Sequence, residues 1–274
     1  MLLQLAGISK QIYLYNVKHM DDKDNKDKEI KEEIFKIFMQ NYEKYGIPRM
    51  TIELNNRGYH INHKRIERLM TELSLKARPK QRKYRSYKGD IGRIADNVLN
   101  RDFTTTSFYE KLGTDVTVFI GTFGRLYLSP IIDFHHREIL SYDLSTNPDF
   151  RQIDRMFKEL KDKHGDNFKD TIIQSDQGWQ YQMSKYRDKL KELKMIQSMS
   201  RKGNCLDNSP TENFFGRMKE EMFYGKEYLY ETIDQLKQAI REYINYYNNV
   251  RIVRKLKMSP LQYKKSHHIT VMCV

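Results

Sequence analysis

Cysteine is nearly missing from this chain: Cys205 and Cys273 are the two among 274 residues. Such a pair excludes a disulfide framework, and neither the spacing of a zinc ribbon nor that of a zinc finger exists, so a reducing compartment is expected. Long apolar runs are missing as well, since no stretch approaches the roughly 18 apolar residues of a membrane span. The opening "MLLQLAGISKQ" is apolar for only a few residues and has no basic leader, which makes it a poor signal peptide. Internal repeats and low-complexity tracts are absent too. The expectation is a globular, cytoplasmic protein that engages no membrane.

Positive charge is what the chain has in excess: 49 Lys and Arg stand against 36 Asp and Glu, a formal net charge of +13. That balance favours a polyanionic partner such as nucleic acid, although charge alone suits an ordinary basic protein equally well. A 39% hydrophobic content over this length supports one large domain or two to three small ones, and the mean hydropathy of -0.79 makes the surface a wet one.

Along the chain, "HMDDKDNKDKEIKEE" (19–33) reads as a solvated linker that turns helical at its end. Ile30, Ile34, Phe38, Tyr42 and Tyr45 then recur at helical spacing, with Gly46 as a C-terminal cap. A short helix closed by Gly58 follows, and Asn62 caps a third in which Ile66, Leu69, Met70 and Leu73 form the buried stripe. The opposite face shows His63, Lys64, Arg65 and Arg68. Three short helices ending on a cationic one have the pattern of a helix-turn-helix unit, whose last helix enters a DNA groove. His60 and His63 lack the Cys pair of a zinc site. "KARPKQRKYRSYKGDIGR" (76–93) carries eight Lys or Arg against one Asp, a basic linker suited to lie along phosphates or to act as a plain solvated tether.

From Leu112 the pattern changes to three short runs rich in β-branched and aromatic residues, "LGTDVTVFI", "GRLYLSPIIDF" and "REILSYDLS", which read as consecutive strands. A helix over 150–164, a strand "DTIIQSD", a helix over 180–194, a strand "MIQSM" and a helix from Pro210 follow in α/β order. The tail places Ile233, Leu236, Ile240, Tyr243 and Tyr247 on one helical stripe.

Three acids stand out by position. Asp115 lies in the first strand, Asp176 at the end of the fourth, and Glu212 after 35 intervening residues at the first turn of a helix. Strand ends at the carboxyl edge of an open α/β sheet are where ligands bind, and converging carboxylates repel one another unless divalent cations neutralise them. Each acid also has an ordinary reading. Asp115 and Asp176 suit turns, and Ser209, Pro210, Thr211 and Glu212 suit a capping box.

Taken together, "TDVTVF", "YLSPIIDFHHREILSY", "QSDQGWQY", "SMSRKGNCLDNSPTENFF" and "YINYYNNVRIVRKLKMSPLQY" resemble the integrase-like transposases of bacterial insertion sequences, the IS-three family and its IS-one-fifty-like branch. The resemblance runs from near the amino end to Tyr263. It implies an α/β, ribonuclease-H-like (retroviral integrase) catalytic core, an N-terminal helix-turn-helix-like domain and a C-terminal helix. The regions would be 1–75 for DNA binding, 76–105 for the basic linker, 106–225 for the core and 226–274 for a helical extension.

By motif, Asp115, Asp176 and Glu212 match the family's catalytic and metal-binding triad, expected to hold two Mg2+ ions with Mn2+ as a substitute. The DNA contacts implied around them are Arg201, Lys202, Asn204 and Asn208 in the loop and Lys219 on the helix after the glutamate, in addition to His63, Lys64, Arg65 and Arg68. Implied partners are double-stranded DNA, as terminal inverted repeats and target, further copies of the chain, and the upstream-frame protein or a frame-fused form. A DNA transposase near the nucleoid is the expectation. The alternatives are an inactive DNA-binding regulator and a nuclease on the same fold. Val118, Gln174 and Trp179 depart from the family's usual residues, Trp179 is expected partly buried, and His135 and His136 are expected at the surface.

Overall fold

A computed structural model describes residues 9–11, 13–14, 20–77, 93–201 and 204–272. The chain divides into two compact units, Met1–Pro79 and Lys80–Val274. Residues 78–92 of the basic linker, together with Lys202, lie outside the described residues.

The first unit is built from α1 (Met20–Gln40), α2 (Ile47–Asn56) and α3 (His63–Glu72). Helix α1 already begins at Met20, so the acidic and basic run is part of a helix and not a linker. Its alternating Asp, Glu and Lys residues are good enough helix formers to be carried once Ile30, Ile34, Ile37 and Phe38 bury one side. Gly46 serves as the N-cap of α2 instead of closing α1. Gly58 does close α2, at φ +88, a conformation that a side chain resists. The Asn62 side chain accepts the Lys64 N–H and caps α3, which buries Ile66, Leu69 and Met70.

The second unit is a six-stranded sheet of β1 (Lys111–Thr114), β2 (Thr117–Gly121), β3 (Gly124–Asp133), β4 (Ile139–Ser145), β5 (Ile172–Ser175) and β6 (Ile196–Met199). Strand β3 pairs antiparallel with β4 on one edge and with β2 and β1 on the other, and β1, β5 and β6 run parallel. The run "LGTDVTVFI" is therefore two strands. Thr114↔Ile131 and Thr117↔Leu128 belong to one register, which sets Asp115 opposite Pro130. Proline has no N–H to donate, so the ladder lapses where Asp115 sits.

Helices α4 (Phe150–His164), α5 (Trp179–Gln182) and α6 (Ser184–Glu192) cover one face. There Leu112, Ile131 and Ile173 from the strands pack with Ile153, Met156, Phe157, Leu160, Tyr181 and Tyr186. The other face carries α7 (Ser209–Met218) and α8 (Ile233–Asn249), with Phe214 against Tyr247 at a ring separation of 5.0 Å. A capping box between Thr232 and Gln235 starts α8. The last helix, α9 (Pro260–Met272), returns Lys264 to Glu138 at 2.9 Å. No helix among the described residues is long and apolar enough to cross a membrane.

Candidate active site

Strands β1 and β5 are parallel neighbours, with Gly113 paired to Gln174. Extended by two residues, that register sets Asp115 beside Asp176, each just past the end of its strand and about 4.8 Å apart in backbone spacing. Side chains alternate along a strand. Leu112 and Thr114 face α4, as the Thr114 Oγ1 contact to Met156 shows, so Gly113 and Asp115 face α7. Helix α7 comes close at Gly113, where a Cβ would lie 2.5 Å from Thr211 Oγ1 and 2.4 Å from Phe134. Only glycine permits that approach, and it brings the first turn of α7, with Glu212, over the face to which Asp115 points.

The electrostatics bind these three acids into one site. The carboxyl of Asp115 is held well above the usual range by burial first, then by the charges of Asp176 and Glu212, against the Val116 N–H that donates to Oδ1 at 2.7 Å. Asp176 is pushed up by burial, although the Gly178 N–H donates to its Oδ1 at 2.8 Å. Burial and then Asp176 raise Glu212. Among the described residues no three acids, histidines or cysteines are grouped as they stand so that they could hold a metal ion. The carboxylates are thus neighbours in one field, not a finished coordination shell.

The expected capping box is not formed. Residues Cys205–Asn208 make a 3-10 turn, Asn208 takes the N-cap position of α7 without a side-chain cap bond, and Glu212 has no capping duty. Asn208 is buried and donates its amide N–H to the Thr114 carbonyl at 3.4 Å, one residue before Asp115. Lys219 lies seven residues beyond Glu212, where α7 passes into a π turn over Lys219–Phe223. Its ammonium turns inward, 2.7 Å from the Val118 carbonyl and 5.1 Å from the centre of the Phe119 ring. Burial pushes its pKa down to about 8, with the Asp115 charge pulling the other way.

Other predicted residues have partners of their own. Arg201 donates to the buried Asp207 through Nε and Nη2, both at 2.9 Å. Arg65 and Arg68 both bind Asp27 on α1 at 2.6 Å, and Arg68 also binds Glu72. His63 and Lys64 are exposed, and Asn204 is half-buried. Trp179 is 45% exposed. His136 is fully buried, against the surface placement expected for it, because Glu138 and Asp133 stand 2.5 and 3.4 Å from its two ring nitrogens. Gln174 is also buried, and its amide donates to Ser200 Oγ at 3.1 Å. The roles of Asp27 and Asp207 left no sign in the spacing, since acids that neutralise distant arginines obey no local pattern.

A mixed sheet in the order β4, β3, β1/β2, β5, β6, with acids at the ends of adjacent parallel strands, defines a ribonuclease-H-like integrase core. Two models described as integrase core domain match residues 107–205 and 212–267, and an HTH-like domain model matches residues 24–83. InsK of insertion sequence element IS150 from Escherichia coli K12 is 44% identical over 98% of this chain and 94% of its own length. A transposase-like protein of Haemophilus influenzae is 52% identical over 74% of this chain and 93% of its own. The transposase of insertion sequence element IS904 from Lactococcus lactis is 31% identical over 86% and 93%. The chain belongs to this family of insertion-sequence transposases and is a DNA transposase.

Proposed function

We propose that Asp115, Asp176 and Glu212 form the phosphoryl-transfer centre that nicks the ends of an insertion sequence and joins the freed 3' hydroxyl to target DNA. The observation that carries this reading is the shared register of Asp115 and Asp176 beneath the first turn of α7, with all three carboxyls pushed up by burial or one another's charge. Three acids crowded in this way hold a surplus of negative charge that Lys219 offsets in part. An all-oxygen donor set of this kind fits a hard cation, Mg2+ or Mn2+, which these three residues would hold. Bound there, one or two such ions would supply charge neutralisation and Lewis-acid activation of oxygens on phosphorus.

The chain's own residues set the rest. Water or a DNA 3' hydroxyl is the nucleophile, and the displacement is in line, so no protein nucleophile is required. Gly178 leaves room for the Asp176 carboxylate, and Asn208 ties the start of α7 to β1. In the first unit, His63 and Lys64 lead the exposed edge of α3 toward a DNA groove, while Arg65 and Arg68 serve Asp27 and flank the contact. Asn204 and, by its place in the sequence, Lys202 would add DNA contacts before α7. Terminal inverted repeats and target duplex are the substrates. Pairing two ends calls for a homo-oligomer, assisted by an upstream-frame segment.

The test is a joining assay with DNA carrying the inverted repeats that flank the gene, using the chain alone and fused to the upstream-frame product. Magnesium-dependent nicking and joined products are expected. Failure of both forms to cut repeat ends in magnesium or manganese would remove the reading.

A further inference from the structure

Asp207 is fully buried, yet it meets no group of the triad. Its two oxygens collect five donors. Oδ2 accepts the Arg201 backbone N–H at 3.0 Å, Arg201 Nε at 2.9 Å and Asn97 Nδ2 at 3.1 Å. Oδ1 accepts Arg201 Nη2 at 2.9 Å and Arg101 Nε at 2.7 Å. A carboxylate has about four lone-pair directions, so this one is saturated.

Each donor comes from a part of the core that is itself fixed. Arg201 follows Ser200, whose N–H and hydroxyl both donate to the Ser175 carbonyl, at 2.8 and 3.1 Å, immediately before Asp176. Asn97 and Arg101 flank a segment laid against β6, where the Met199 N–H donates to Asp96 and the Leu99 N–H to Ser198 Oγ. Asp207 itself stands one residue before Asn208, the N-cap of α7, and five before Glu212. With no side-chain cap bond at that helix start, these contacts join the Asn208 bond to the Thr114 carbonyl in fixing where it begins.

We propose that Asp207, clamped by Arg201, Arg101 and Asn97, is a positioning residue that fixes the first turn of α7 so that Glu212 faces Asp115 and Asp176, and that the Arg201 guanidinium serves this clamp and not the DNA backbone. The second half of the statement separates Arg201 from the loop's other cation, Lys202. A bidentate arginine on a buried carboxylate has the Nε and Nη2 edge of its guanidinium occupied, so a phosphate could reach only the Nη1 edge. The inference rests on the triad reading for its functional consequence, but the clamp has a signature of its own.

The test compares Asp207→Asn, Arg201→Ala and Arg201→Lys with the unaltered chain in hydrogen exchange, repeat-DNA binding and joining across a magnesium titration. The clamp predicts amide exchange at least tenfold faster across 204–212 in Asp207→Asn and Arg201→Ala, with α4 and α6 unchanged. It also predicts a tenfold or greater fall in the maximal joining rate and a several-fold rise in the magnesium needed for half of it. DNA affinity should stay within threefold with its salt slope unaltered, and Arg201→Lys should recover part of the loss. Unchanged exchange at 204–212 in Asp207→Asn overturns the clamp. A tenfold loss of DNA affinity in Arg201→Ala, with a salt slope shallower by about 1, returns Arg201 to the DNA. If the unaltered chain joins nothing, the triad reading falls, and the exchange result still decides the clamp.

Discussion

Arg251 is buried to 1% exposure, and Glu221, on the π turn that continues α7, supplies its counter-charge. Nε and Nη2 donate to the two carboxylate oxygens at 2.7 and 2.5 Å, and the Tyr243 hydroxyl of α8 donates to Oε2 at 2.7 Å. Glu221→Ala therefore leaves a guanidinium in a site that excludes water. Breaking one side of such a pair costs about 3–5 kcal/mol, a large share of the ~5–15 kcal/mol that holds a typical protein folded. With a urea slope of about 2 kcal/mol per molar, the midpoint should fall by roughly 1.5–2.5 M. Trp179 is the only tryptophan and sits in the second unit, so its fluorescence follows the unfolding of that unit alone. Replacing both partners, as Glu221→Leu with Arg251→Met, should restore the midpoint or raise it, because the desolvation cost goes with the charges. A Glu221→Ala midpoint within about 0.3 M of the unaltered chain would refute the argument that this pair is desolvated.

Three further outcomes are expected. The raised carboxyls make the native state bind more protons than the unfolded chain between the ordinary carboxylate pKa and the raised one, so metal-free stability falls as pH rises through that window. At neutral pH in chelator, Asp115→Asn and Glu212→Gln should then melt above the unaltered chain, by about 2–4 °C for each kcal/mol of repulsion relieved. Magnesium should raise the melting temperature of the unaltered chain more than theirs, and lower melting of both variants would contradict the shared field. Gly178→Ala brings a Cβ to 2.8 Å from Asp176 Oδ1 at φ -58, where the backbone is unstrained. Joining should drop about 10- to 100-fold through a displaced carboxylate, with melting nearly unchanged; full activity would show that Asp176 tolerates the shift. Lys64→Ala on the exposed edge of α3 should weaken repeat-DNA binding and reduce the salt slope by about 0.9, and an unaltered slope would place that edge away from phosphate.

Much of this architecture is legible in the sequence because it rests on local signals. Helix α4 follows from its apolar spacing, and its observed bounds of Phe150–His164 coincide with the expected ones. Asn62 and Gly58 mark their helix ends through capping chemistry that any sequence displays. What was hidden depends on contacts distant in sequence. The split of the first strand comes from Pro130 in the facing one. The Ser209–Glu212 box is locally sound, but the 3-10 turn before it and the bonds on Asp207 set the helix start instead. Arg65, Arg68 and Arg201 look like free cations in the chain and are met by Asp27 and Asp207 once it folds. Burial of His136 likewise needs Asp133 and Glu138 around it. Charge patterns along a chain show which cations exist, and only the fold shows which of them are already paired.

The most direct measurement is strand joining by Glu212→Gln beside the unaltered chain, with repeat-DNA affinity taken on the same preparations. Glutamine keeps the shape of the side chain and removes its charge. The account predicts joining reduced by about a thousandfold or more, the scale seen when a group that stabilises charge in the transition state is lost, while DNA affinity changes less than threefold. Joining at the unaltered rate by Glu212→Gln would contradict the claim that Asp115, Asp176 and Glu212 act as one centre.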